Sequence, residues 1–136
     1  MTYIGLRTLR ENNKVYVVFI DTDEGNTAWI NLADFQALWK TLRDPELPSD
    51  TKIVFKEPSE KFQASRCATL DQANCFQVYE AEGRIDKNTR FKDVSTFPLD
   101  DINFELLDAL TNYLMPVDEF EKQLDKMQKR TKIRIV

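Results

Sequence analysis

Between Leu99 and Glu121 the chain reads LDDINFELLDALTNYLMPVDEFE, which holds seven carboxylates and no lysine or arginine: Asp100, Asp101, Glu105, Asp108, Asp118, Glu119 and Glu121. The one-sidedness extends further. Asp93 to Glu121 carries eight acids and no base, and Lys122 to Arg134 reverses to six bases against one acid. Grouped carboxylates can ligate a cation, work as an acid–base pair, or attract a basic surface. At 100° per residue, Asp101, Glu105 and Asp108 fall within about 60° of one another on a helix, opposite the apolar positions. Acids in such a row stand roughly 5 to 6 Å apart, comparable to phosphates along a nucleic acid strand. The pattern therefore points to the third use, with nucleic acid mimicry as its extreme form.

Helix electrostatics alone explain part of the pattern. Asp100 and Asp101 fall at one predicted helix N-terminus, and Asp118, Glu119 and Glu121 at the next, where the macrodipole favours negative charge. Asp118 with Lys122 and Asp125 with Lys129 are favourable pairs four residues apart. Glu105 and Asp108 lie beyond the first turn with no base three or four positions away, so both are expected to be exposed and unneutralised.

Other chemistries are disfavoured by what the chain lacks. It has no histidine, so the usual general base near neutral pH is missing, and zinc would have to be held by cysteine and carboxylate alone. Asp21, Asp23 and Gly25 resemble the start of a calcium loop. Counting from Asp21, however, the sixth and twelfth places hold Asn26 and Leu32, where glycine and glutamate are needed. No G-x-S-x-G or G-x-x-x-x-G-K-[ST] motif occurs, and the three glycines form no phosphate cradle. A carboxylate pair in a cleft is the one catalytic arrangement left open. Neither a cofactor nor a metal is expected. Cys67 and Cys75 read as buried or incidental thiols. A net charge of −4 and a pI near 4.9 disfavour direct nucleic acid binding. With no apolar run of 18 residues and no secretory signal pattern, a cytoplasmic protein without membrane contact is expected.

The elements that would carry these residues follow from periodicity. TYIGLRTLRE and KVYVVFID, joined by Asn12 and Asn13, predict a hairpin, and TAWINL predicts a third strand after the turn DTDEGN. Val15, Val17 and Phe19 alternate with Tyr16, Val18 and Ile20, so both faces of the second strand are apolar and it belongs inside its sheet. Leu32, Phe35, Leu38, Trp39 and Leu42 recur at helical spacing, with Asn31 as cap and Pro45 beyond the end; Phe35 and Trp39 are assigned to the core. TKIVFK and CFQVYEAEG read as strands. The stretch between them reads as irregular, with a short strand near Ala68. Leu99 and Phe104 bracket a cap at Asp100, opening a helix with Ile102, Leu106, Leu107, Leu110, Tyr113 and Leu114 on its apolar face. Pro116 separates it from a last helix bearing Val117, Phe120, Leu124 and Met127, and TKIRIV predicts a terminal edge strand.

At 136 residues the chain is expected to form a single α+β domain over 1–136. The expected architecture is a mainly antiparallel sheet of five or six strands with three helices packed on one face. The expected function is stoichiometric binding of another protein, with the acidic helical face against a basic surface such as that of a nucleic-acid-binding protein. An inhibitor, an immunity-like protein or a phage-borne antagonist of host nucleic-acid machinery would fit. The protein is expected to be a monomer or homodimer and not an enzyme. The alternatives are an assembly subunit self-associating through the C-terminal strand and, more distantly, a small enzyme using a carboxylate pair.

Overall fold

A computed structural model describes residues 1–11, 13–48, 51–55, 64–83 and 85–112. Strands β1 (Thr2–Thr8), β2 (Val15–Asp21) and β3 (Asn26–Asn31) form an antiparallel meander with β2 in the middle. Asn13 takes a φ of 59°, the left-handed conformation that asparagine tolerates and a tight hairpin requires. Helix α1 (Leu32–Leu42) follows β3 directly. The Asn31 side chain accepts from the Ala33 N–H at 3.0 Å, which ends the strand and caps the helix in one residue.

α1 carries the chain away from the meander, and β4 (Ile53–Phe55) opens a second sheet with β5 (Ala64–Leu70), β6 (Cys75–Glu82) and β7 (Asp93–Pro98), antiparallel throughout. Helix α2 (Asp101–Asn112) completes the described elements. The architecture is α+β, but the expectation of one sheet of five or six strands under three helices is overturned by two sheets of three and four strands, with two helices among the described residues. The helix expected from Val117 and the strand TKIRIV lie outside the described residues.

Aromatic packing accounts for the division into two sheets. Phe19 of β2 stacks on Phe76 of β6 at 4.8 Å between ring centroids and meets Phe97 of β7 at 5.6 Å, so each sheet's inner face is buried by the other. From α1, Phe35 reaches both Phe19 (5.7 Å) and Phe76 (6.4 Å), and Trp39 packs on Phe76 and on Phe104 of α2. All these side chains except Phe104 are buried. Phe35 and Trp39 are thus core residues, as their spacing predicts. No described helix is long and apolar enough to cross a membrane.

Candidate functional site

Each carboxylate of the acidic run that the structure describes has a distinct setting. Asp100 caps α2: its Oδ1 accepts from the Asn103 N–H at 2.8 Å, while its own N–H donates to Asn103 Oδ1 at 3.0 Å, a reciprocal capping box. Asp101 and Glu105 are exposed, one turn apart. Asp108, expected to be exposed and unneutralised, is half-buried and paired: its Oδ1 accepts from Trp39 Nε1 at 2.7 Å, and Arg43 donates to both of its oxygens at 3.1 Å. Arg43 also lies over the Phe104 ring at 5.0 Å, so Asp108 belongs to the joint between α1 and α2. The free part of the stripe is Asp101 and Glu105. Asp118, Glu119 and Glu121 lie outside the described residues.

Topology adds acids that linear spacing does not reveal. The buried Asn103 side chain donates to the Thr2 carbonyl at 3.3 Å, and Thr2 sits opposite Asp21 in the β1–β2 register. The Leu99 N–H donates to the Asn74 carbonyl at 3.0 Å in the β5–β6 turn. The start of α2 is therefore bracketed by the β2–β3 turn, with exposed Asp23 and Glu24, and by the β5–β6 turn, with half-buried Asp71. No lysine or arginine occurs in 21–26, 71–75 or 99–105. Three of the turn acids are engaged by the fold, Asp23 by accepting from the Met1 ammonium. Asp71 Oδ1 accepts from the Ala73 and Cys75 N–H groups at 2.9 and 3.0 Å. Asp21, 1% exposed, accepts from the amino terminus at 3.1 Å and from the Glu24 and Asp23 N–H groups at 3.2 and 3.4 Å. Burial pushes the Asp21 carboxyl up, but the hydrogen bonds from the amino terminus and the two backbone N–H groups outweigh it and hold the group below the usual carboxylate range. Asp23, Glu24, Asp100, Asp101 and Glu105 remain exposed, forming an acidic pole at one end of the molecule.

A second feature lies toward the other end of the second sheet. Arg66 of β5, Glu80 of β6 and Asp93 of β7 stand in one row across three strands, Arg66 opposite Glu80 and Glu80 opposite Asp93. With Val78 and Ser95 they line a cleft of about 280 Å³, whose other wall is Thr27, Ala28 and Trp29 of β3. Arg66 Nη1 donates to the Trp29 carbonyl at 3.3 Å, tying the two walls together. Alternation along CFQVYEAEG sets Glu80 on one face with Phe76 and Val78. Nothing in the spacing of 29, 66, 80 and 93 signals that they converge, because strand register aligns the last three and the packing of the two sheets brings Trp29 to them.

The cysteines and the β2–β3 loop offer less. Cys67 pairs with Tyr79, four residues along β6 from Cys75, so the two thiols are separated by about 13 Å of strand, beyond disulfide reach. Burial pushes the Cys67 thiol up to about 11. No group of three or more metal-ligating side chains occurs among the described residues. No family model, curated protein or solved structure matches the chain.

Proposed function

We propose that the protein binds a basic surface of another protein in a stoichiometric complex, using the acidic pole at the start of α2. The observation that carries this reading is the approach of the β2–β3 turn to the start of α2, two segments without lysine or arginine, which leaves Asp23, Glu24, Asp100, Asp101 and Glu105 exposed around one helix N-terminus. Two of them, Asp101 and Glu105, make no contact that the fold needs among the described interactions, in contrast to Asp108. Basic charge in the same sheet gathers at the far end: Arg7, Arg10 and Lys14 flank the β1–β2 turn, which the Leu9 N–H closes on the Lys14 carbonyl. Separated charge of this kind orients an approaching basic partner toward the pole and speeds encounter more than it tightens the final complex. A nucleic-acid-binding protein, with its basic groove, is the kind of partner that fits.

Zero-length coupling of carboxylates to amines tests the reading. The chain, incubated in extract of its own cells at low ionic strength and treated with a carbodiimide, is expected to couple to partner lysines through Glu24, Asp101 or Glu105, and to lose that coupling at high ionic strength. Coupling spread evenly over exposed carboxylates such as Glu11, Glu46 and Glu82 would reject it.

A further inference from the structure

We propose that the cleft between β3 and the inner face of the second sheet binds an organic cation, a guanidinium or primary ammonium group on a short apolar stem. Among the described residues, the lining sets two carboxylates, Glu80 and Asp93, against one guanidinium, Arg66, which already donates to the Trp29 carbonyl. Glu80 stands between Arg66 and Asp93 in the row, so Arg66 offsets one carboxylate and the cleft keeps one negative charge, on the Asp93 side. A cation beside Asp93 offsets that charge and donates charge-assisted hydrogen bonds to the Asp93 and Glu80 carboxylates. Ala28 and Val78, both buried, supply apolar surface, and the half-buried Trp29 adds an aromatic group that favours cations. At about 280 Å³ the cleft is at the small end of ligand sites, roughly 300 to 1,000 Å³, so it suits one side-chain-sized group. The site is independent of the acidic pole: Glu80 lies five residues up β6 from Cys75, about 16 Å from the turn.

The test titrates butylguanidinium into ¹⁵N-labelled protein, with butylurea as an uncharged probe of the same shape. Saturable shifts at the Trp29 indole N–H and at the Glu80 and Asp93 amides are expected with butylguanidinium and not with butylurea. E80Q/D93N should weaken binding at least about tenfold, since it removes both charged acceptors. D93N should melt no lower than the parent, because it relieves the like-charge pair and leaves Glu80 opposite Arg66. A purely structural role for the row would instead lower the melting temperature. D93N alone, at an exposed position, gives the same binding readout should the double variant fold poorly. A capped Gly-Arg-Gly peptide separates the sources: tighter binding than butylguanidinium assigns the site to a partner's arginine, and exclusion of the peptide assigns it to a free small cation. Equal shifts with butylurea, or binding unchanged in both variants, would overturn the proposal.

Discussion

Asp108 accepts hydrogen bonds from Arg43 and Trp39, which precede it by 65 and 69 positions, so no window along α2 could have shown that its charge is satisfied. The ion pair is largely exposed and contributes little after solvent screening, but the indole N–H of buried Trp39 would lose its acceptor. Asp108→Ala is therefore expected to cost about 1 to 2 kcal/mol in a urea melt. Glu105→Ala should stay within about 0.5 kcal/mol. Equal effects would remove the distinction between the two acids. Asp21 adds a pH test. Its folded pKa lies below the ordinary 3.8, so its contribution is fully present above that value and is lost as pH falls through the folded pKa. The stability gap between the parent and Asp21→Asn should be widest near neutral pH and close in acid; a gap that does not change with pH would contradict the account. Local signals were readable where partners are near in sequence: Asn31 caps α1 and Asp100 caps α2, each within three residues of its acceptor contact.

Elements with strong periodicity were legible, and those defined by their neighbours were not. The doubly apolar run Val15 to Ile20 is the central strand of its sheet, as read, because Val17 and Phe19 face the second sheet while Tyr16 and Val18 are buried on the opposite face. β7 escaped notice: DVSTFP has one buried residue, Phe97, ends in a proline suited to a sheet edge, and alternates too weakly to signal a strand. β5 was read as a short strand near Ala68 and runs to seven residues, its small and polar side chains made strand-like by pairing with β6. With β7 unseen, a single sheet remained the simpler expectation. The two-sheet arrangement makes Phe19 the contact point of both sheets and α1. Phe19→Ala is expected to cost about 3 to 5 kcal/mol, against less than about 0.5 kcal/mol for Val54→Ala on the exposed face of β4. A loss under about 1 kcal/mol at Phe19 would mean that the sheets do not depend on each other.

At the scale of the molecule, the acidity of the helical stripe joins that of the β2–β3 turn in a pole built from two segments, with bases gathered at the opposite end of the first sheet. Of the helical stripe, Asp101 and Glu105 are exposed on α2, as their spacing predicts. Spacing does not show Asp23 and Glu24 beside them, because the link is the Asn103–Thr2 hydrogen bond, made across 101 positions. The cleft was missed for the same reason. The central claim, that the pole is a recognition surface, is tested most directly by reversing charge without touching the fold. Asp101→Lys with Glu105→Lys is compared with Glu11→Lys and Glu46→Lys, an equal charge change at exposed positions away from the pole. Association with whatever the parent chain captures from extract of its own cells is followed over a range of ionic strength. The pole variant should associate more slowly and lose most of the salt dependence, while the control retains both; the pole variant should melt lower by no more than about 1 kcal/mol, the cost of a lysine in the first turn of α2. Indistinguishable association by the two variants would contradict the account and leave the pole a solvated surface.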